Sequence, residues 1–306
     1  MNKPYFPAFL VLVFFSIIAY LVASYYTVDN GSIDIENANG NVAEILIEGQ
    51  IASSSSDSFI SNEAVTSTEI IKFIDRAEKD PSIKAILFTI NSGGGAPVPS
   101  IEISERIKKV KKPTYSYIKD IGASGAYWIA SSTDTIIANK ASLVGSIGVT
   151  ASQLEYAGLM DKYGVGYQRL VAGKYKDTLS PFRNMTTEEE LLVQGMLDEL
   201  YVMFIDEVSE NRNLSKEAVT ELATGWVYLG QDALNLGLID DLGTREDALE
   251  RIGKDLNMTV SPATYKTKRS LLDSLSSLTS GQSFTVGRGI GYELKKQQVS
   301  QPMIKS

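Results

Sequence analysis

The chain has 306 residues, of which 43% are hydrophobic and 22% charged, and its formal net charge is -8. An acidic chain without a basic cluster argues against nucleic acid as a partner. The sequence contains no cysteine and no histidine, which excludes disulfides, a thiol nucleophile and every histidine-dependent catalytic triad. A hydrolase of this composition must use a lysine, a carboxylate, a tyrosine or a terminal amine as its base. We predict neither a metal site nor a cofactor.

The first 27 residues are predicted to form a transmembrane anchor. Residues Phe6 to Tyr26 are almost wholly apolar, and no charge falls between Lys3 and Asp29. About 20 such residues span the hydrocarbon core of a bilayer as a helix. A cleavable signal peptide is the alternative, although such peptides have a shorter apolar core. The positive charge of Lys3 and of the amino terminus predicts a single-pass protein of the cell membrane, with a cytoplasmic N-terminus and an extracytoplasmic catalytic domain.

Beyond the anchor, the sequence predicts a linker at residues 28–40, one folded domain at residues 41–262 and a flexible polar C-terminal tail at residues 263–306. Patterns of strand and helix alternate in the folded domain, which is typical of an α/β fold with a mainly parallel sheet. The Ser-rich stretch 50–65 is predicted to be a loop. Strands are expected at Val42–Ile47, Ile83–Ile90, Thr114–Ile118, Thr135–Asn139, Ile147–Thr150 and Tyr167–Val171, and helices at Thr66–Ala77, Ser100–Lys111, Gly125–Ser131, Leu154–Tyr163 and Thr187–Asn211.

Two glycine-containing motifs could carry chemistry. In Gly122-Ala123-Ser124-Gly125-Ala126, a serine among small residues lies after a predicted strand and before a predicted helix. A nucleophile is often placed in this way, because the helix N-terminus directs N–H groups at developing negative charge. Close packing of the helix on the strand is the alternative explanation. The turn Gly93-Gly94-Gly95 could form an oxyanion hole or be a plain turn, and it lacks the usual nucleotide-binding patterns.

Two lysines and a second serine complete the candidate set. A lysine acts as a base only when it is neutral, and burial away from water favours the neutral form. Chemistry alone does not choose between Lys174 and Lys176, and a solvated loop lysine is the alternative for both. In Gly145-Ser146-Ile147-Gly148 the Ser146 hydroxyl could orient a neutral amine, or it could be an ordinary turn serine.

Six motifs follow one another in a specific order along the chain. They are Asn91-Ser92-Gly93-Gly94-Gly95, Ala123-Ser124-Gly125-Ala126-Tyr127, Ala138-Asn139, Gly145-Ser146-Ile147-Gly148-Val149, Gly173-Lys174-Tyr175-Lys176-Asp177 with Ser180-Pro181, Arg183 and Met185-Thr186, and Val227-Tyr228-Leu229-Gly230 with Leu238-Ile239-Asp240 and Leu242-Gly243. In this order they closely resemble the signal peptide peptidase A family, also called protease IV, in its short single-domain form. The resemblance runs from about Val42 to Leu256.

This resemblance implies the fold class and the catalytic residues. The family has a fold like that of Clp protease and crotonase, in which repeated ββα units form a spiral core. By matching positions, Ser124 would be the nucleophile and Lys176 the general base. Ser146 would be the serine that hydrogen-bonds the lysine.

The resemblance also implies an oxyanion hole at the Gly-rich turn. The Gly95 amide would be one donor and the Gly125 amide the second. The family usually has Ser-Pro-Gly-Gly-Gly where this chain has Ser92-Gly93-Gly94-Gly95-Ala96. Gly94 therefore remains the alternative donor.

The implied function is a membrane-anchored serine endopeptidase with a Ser-Lys dyad, which degrades remnant signal peptides and other short apolar peptides at the lipid bilayer. In the family, the serine and lysine of one site come from adjacent protomers, so we expect a homo-oligomeric ring with active sites across its interfaces. Two alternatives stay open, namely a crotonase-like acyl-thioester enzyme and a catalytically degenerate scaffold protein. The combination of Ser124, Ser146 and Lys176 argues against both.

Overall fold

The computed structural model describes residues 13–18, 33–54 and 64–267. Residues 13–18 are helical, and the rest of the predicted anchor lies outside the described residues, as does the predicted tail from residue 268 onward. Within the described ranges, no helix is both long and apolar enough to cross a membrane. Residues 35–265 form one compact unit, which contains every residue predicted to act in catalysis.

A mainly parallel β-sheet forms the centre of this unit. Its strands are β1 (Ile33–Glu36), β2 (Val42–Glu48), β5 (Ala85–Ser92), β6 (Thr114–Ala123), β7 (Thr135–Ala138), β8 (Leu143–Gly145), β9 (Val227–Leu229), β10 (Asp241–Leu242) and β11 (Pro262–Thr267). β3 (Gln50–Ala52) and β4 (Ala64–Thr66) form a separate two-stranded sheet. The main order is β11-β2-β5-β6-β7-β10. β7 pairs with the first half of β6, β8 pairs with its last residues, and β9 runs antiparallel to β8.

Eight helices follow in the described part of this unit, and several of them begin at a side-chain cap that can be recognised in the sequence. They are α1 (Ser67–Lys79), α2 (Pro97–Ile107), α3 (Gly125–Ser131), α4 (Ala157–Lys162), α5 (Thr187–Arg212), α6 (Lys216–Leu222), α7 (Gly230–Asn235) and α8 (Arg245–Leu256). Thr66 caps α1, since its side chain accepts the Glu69 N–H at 3.3 Å. Thr186 forms a full capping box with Glu189 at the start of α5.

Burial explains why the apolar runs predict this α/β fold correctly. Every residue of β5 from Ala85 to Ile90 is buried. A strand covered on both faces needs such a continuous apolar run, and parallel sheets are covered on both faces. β2 is buried from Val42 to Ile45 and pairs with β5 in parallel. The predicted mixed α/β fold with a parallel sheet is therefore confirmed.

Several local predictions are wrong. The predicted loop 50–65 begins and ends with strands, because β3 and β4 pair in parallel. The strand predicted at Ile147–Thr150 lies earlier, at β8, and ends where Gly145 and Ser146 adopt positive φ. Residues Tyr167–Val171 form no strand and are exposed. Two strands also extend into neighbouring segments, since β1 lies in the predicted linker and β11 continues into the predicted tail.

Candidate active site

Three strands end side by side at one edge of the sheet. β5 ends at Ser92 alongside β6, and β6 ends at Ala123, which pairs with Gly145 of β8. In open α/β sheets, ligands bind beyond the carboxyl ends of parallel strands. The structure therefore brings together the Gly-rich turn, Ser124 and Ser146 at the edge where a site is expected.

Ser124 lies between β6 and α3 in a backbone conformation that L-residues rarely adopt, with φ 52° and ψ -127°. Its N–H donates to Gly145 O at 2.8 Å, and its carbonyl accepts the Trp128 N–H at 3.0 Å. The residue is partly exposed. Strained backbone of this kind occurs preferentially at functional sites. A sharp turn from strand to helix also presents a nucleophilic oxygen to solvent.

Glycine allows the Gly-rich turn to pack directly on the Ser124 turn. Gly94 has φ 101°, and a Cβ there would lie 2.8 Å from Ser124 Cβ and 2.8 Å from Gly125 N. A Cβ on Gly95 would lie 1.9 Å from Ile51 O, because Ile51 of β3 pairs with this turn. No larger residue fits either position without moving backbone.

Hydrogen bonding distinguishes the two candidate oxyanion donors, Gly94 and Gly95. The Gly94 N–H already donates to Ser92 Oγ at 3.0 Å. The Gly95 N–H has no backbone acceptor in the described part of the chain. Gly125 is the first residue of α3, and the first N–H groups of a helix have no acceptor within it. A Cβ on Gly125 would lie 3.4 Å from Gly95 N, so Gly125 lies beside the Gly95 amide.

Ser146 is held beside the Ser124 turn by its own backbone. It has φ 49°, and its N–H donates to Trp226 O at 2.8 Å. Its Oγ donates to Gly225 O at 3.1 Å. The carbonyl oxygen of the preceding residue, Gly145, accepts the Ser124 N–H. Ser146 is therefore the next residue in the chain after the hydrogen-bond partner of Ser124.

Lys176 lies apart from these residues, in an exposed turn. The backbone N–H of Lys176 donates to Gly173 O at 3.2 Å. In the following turn, the backbone N–H of Thr178 donates to Tyr175 O at 3.2 Å. Among the residues that the structure describes, no carboxylate forms an ion pair with the Lys176 amine. The single chain does not bring this lysine into hydrogen-bond contact with Ser124.

Lys174 has a different environment from Lys176. Its Nζ lies 2.6 Å from Glu188 Oε2, and it also lies over the Tyr175 ring. The Glu188 carboxylate, and then Tyr175, raise the pKa of Lys174 above its ordinary range. An amine stabilised in its charged form is a poor proton acceptor.

A cluster of charged side chains joins the Lys176 turn to the start of α5. Arg183 Nη2 lies 2.9 Å from Asp177 Oδ1 and 2.6 Å from Glu189 Oε1. Arg169 donates to both oxygens of Asp177 at 2.6 Å. Arg169 and then Arg183 hold the pKa of Asp177 well below its usual range. The sequence shows these charges but not which of them meet. Within the described ranges, no acidic cluster has the arrangement of a metal site.

The two ends of α5 contact different parts of the site. Near the C-terminal end, Phe204 stacks on Trp128 of α3 with ring centroids 4.4 Å apart. Near the N-terminal end, Glu189 accepts the hydroxyl of Thr178 at 3.0 Å, two residues after Lys176. Because an α-helix rises about 1.5 Å per residue, the stretch of α5 from Glu189 to Phe204 is about 22 Å long. The lysine turn and α3 therefore contact α5 at widely separated positions.

Comparison with known proteins gives consistent matches. A family model described as Peptidase family S49 matches residues 106–259. The chain is 39% identical over 223 residues to a "Putative protease" of Methanocaldococcus jannaschii, with 72% of this chain and 71% of that protein covered. It is 33% identical over 225 residues to "Putative signal peptide peptidase SppA" of Enterococcus faecium, which is covered to 65% against 72% of this chain. It is 31% identical over 224 residues to "Protease 4" of Haemophilus influenzae, covering 72% of this chain but 36% of that longer protein.

Proposed function

The chain belongs to peptidase family S49 and to the signal peptide peptidase A family within it, so it is a serine-type peptidase, and we propose that Ser124 is its nucleophile and Lys176 its general base. The observation that carries this proposal is the Ser124 turn. A strained serine at the start of α3 lies beside the amides of Gly95 and Gly125, as acyl transfer requires.

The proposed reaction proceeds through an acyl-enzyme. The uncharged Lys176 amine takes the proton of Ser124 Oγ as this oxygen attacks the peptide carbonyl carbon. The amides of Gly95 and Gly125 stabilise the oxyanion. The C–N bond then breaks, and the leaving amine receives the proton from Lys176. Lys176 then takes a proton from water as the water oxygen attacks the ester carbonyl carbon, the bond between that carbon and Ser124 Oγ breaks, and Lys176 returns the proton to Ser124 Oγ. Ser146 orients the Lys176 amine by hydrogen bonding.

We propose that Lys176 reaches Ser124 across a protomer interface in a homo-oligomeric ring. Two observations support this arrangement. The lysine turn and α3 contact α5 about 22 Å apart along the helix. Large exposed apolar patches mark interaction surfaces. Apolar side chains are exposed in residues 154–170, which precede the lysine turn, and in the first half of α5, among them Leu154, Leu159, Tyr163, Leu170, Leu191 and Met196.

The proposed substrates are remnant signal peptides and other short apolar peptides, cleaved near a bilayer to which residues 1–27 anchor the protein. The apolar stretch from Phe6 to Tyr26 supports the anchor, and the positive charge of Lys3 before it supports an extracytoplasmic catalytic domain. We further propose that the sheet and its helices form the repeated ββα spiral of the Clp protease and crotonase folds. The parallel succession of β2, β5, β6 and β7 supports this assignment.

A matched pair of lysine variants tests the dyad. Full-length protein should cleave an apolar peptide, and Ser124→Ala or Lys176→Ala should each abolish cleavage. Lys174→Ala is the control, because Lys174 lies in the same exposed turn but pairs with Glu188. Cleavage that survives in Lys176→Ala and is lost in Lys174→Ala would overturn the assignment of the base.

Complementation tests the interface. Co-expression of Ser124→Ala with Lys176→Ala should restore cleavage to about a quarter of the wild-type level, because random assembly pairs one intact serine with a neighbouring intact lysine in about that share of sites. A dyad formed within one chain gives no restoration.

Fractionation tests the anchor. The full chain should stay with membranes after alkaline extraction, and a chain lacking residues 1–27 should be released. Full-length protein that is also released would contradict the proposed anchor.

A further inference from the structure

We propose that Arg183 is a positioning residue for Lys176, which acts by fixing the lysine turn against the N-terminus of α5. This inference rests on the proposed function, because it assumes that Lys176 is the base. It assigns a role to a charged cluster that the reaction described above does not use.

The contacts of Arg183 engage its whole guanidinium group. Nε and Nη2 donate to the two oxygens of Asp177, each at 2.9 Å. Nη1 and Nη2 donate to the two oxygens of Glu189 at 2.8 and 2.6 Å. A planar guanidinium can hold two carboxylates in fixed directions, which a lysine ammonium cannot do. One of these carboxylates follows Lys176 directly, and the other lies in the first turn of α5.

Burial sets this cluster apart from the exposed segment around it. The side chains of Arg183, Asp177 and Glu189 are 19%, 13% and 4% exposed, whereas the Lys174 side chain is 65% exposed. Glu189 also accepts the Thr186 N–H at 2.9 Å as part of the capping box. The cluster is therefore a rigid support in a segment that otherwise has little packing of its own, and a catalytic group needs such a support to hold its geometry.

The cluster also controls the charge next to the base. A carboxylate that is free to pair with a neighbouring amine stabilises the ammonium form, and Asp177 is adjacent to Lys176 in the chain. Both oxygens of Asp177 accept from Arg183 and from Arg169. The carboxylate is thus engaged by two guanidinium groups, and it forms no ion pair with Lys176 within the described residues.

The test compares two arginine variants that each release a buried glutamate. Arg183→Gln should lower kcat for an apolar peptide about 100-fold, because a displacement of about 1 Å at a catalytic group can cost that factor. KM and the oligomeric state should stay unchanged. Arg245→Gln is the matched control, since Arg245 donates to both oxygens of Glu44 at 2.7 and 2.5 Å, and the Glu44 side chain is 3% exposed. This control should lower stability and leave kcat unchanged.

Three results would overturn the inference. These are an unchanged kcat in Arg183→Gln, a change confined to KM, and an equal loss of kcat in Arg245→Gln. If Arg183→Gln does not fold, Arg169→Gln is the milder variant, because it removes one of the two partners of Asp177. Arg169→Gln should also lower kcat, but by a smaller factor than Arg183→Gln. An unchanged kcat in Arg169→Gln also counts against the positioning role of Arg183.

Lys176→Ala, measured in parallel, separates this inference from the proposed function. Activity retained in Lys176→Ala contradicts the function itself. An inactive Lys176→Ala together with a fully active Arg183→Gln contradicts only the positioning role.

Discussion

Replacement of Ser124 by glycine should leave the protein more stable than replacement by alanine, although both variants lose the nucleophile. Ser124 has φ 52° and ψ -127°, and a Cβ atom makes this region unfavourable. Alanine keeps the Cβ and therefore the strain. Glycine removes the Cβ and relieves the strain.

The expected magnitude follows from two opposing terms. A non-glycine residue held in such a sparsely populated region costs about 1–3 kcal/mol. Glycine loses more backbone freedom on folding than alanine, by about 0.5–1 kcal/mol. Glycine is also the better residue at a helix N-cap, the position that Ser124 occupies for α3. The comparison therefore needs a control position at which glycine has the same entropy cost and the same N-cap preference, but where the backbone is not strained.

Ser215 provides that control. It is the N-cap of α6 with ordinary φ -69° and ψ 152°, and its Oγ accepts the Ala218 N–H at 3.1 Å. The difference between the glycine and alanine variants should be larger at Ser124 than at Ser215 by about 1–3 kcal/mol. Urea denaturation of the full-length chain, followed by circular dichroism at one protein concentration, measures both pairs. Equal differences at the two positions would refute the strain that supports Ser124 as nucleophile.

Three further predictions concern other parts of the same framework. Gly94→Ala should lower kcat by about 100-fold, because the added Cβ would displace the Ser124 turn, and peptide cleavage measures this. Phe204→Ala should destabilise the chain by about 3–5 kcal/mol in denaturation, because the ring is fully buried. Burial, together with the adjacent Asp255, raises the pKa of Tyr115 to about 12. A tyrosine in the unfolded chain ionises at about pH 10, so the free energy of unfolding should fall between about pH 10 and pH 12, and Tyr115→Phe should make that fall shallower.

Much of the fold could be predicted because the burial of a parallel sheet is visible in the sequence. The apolar run Ile83–Ile90 corresponds to β5, and small residues around Ser124 correspond to a tight turn at the start of α3. In each case the signal lies within a few adjacent residues. A helix cap such as Thr66 can be recognised for the same reason, since the groups that it joins are neighbours in the chain.

The parts that could not be predicted depend on contacts between distant residues. The close approach of Ile51 in β3 to Gly95, for example, forms only in the folded chain. Likewise, apart from the family resemblance, the sequence around Lys174 and Lys176 does not show which of the two could be the base. They differ because Glu188, in the first turn of α5, meets only one of them.

The incorrect strand at Tyr167–Val171 has a cause that bears on the proposed interface. Pattern analysis assumes that apolar residues become buried in their own chain, yet Leu170 is 85% exposed and Tyr167 is 43% exposed. If a neighbouring protomer covers this segment, the sequence encodes burial in two settings, the core of one chain and an interface between chains. A single sequence does not separate the two, because both settings select apolar residues. The apolar residues from which the incorrect strand is predicted would then form the interface that places Lys176 beside the nucleophile of the next protomer.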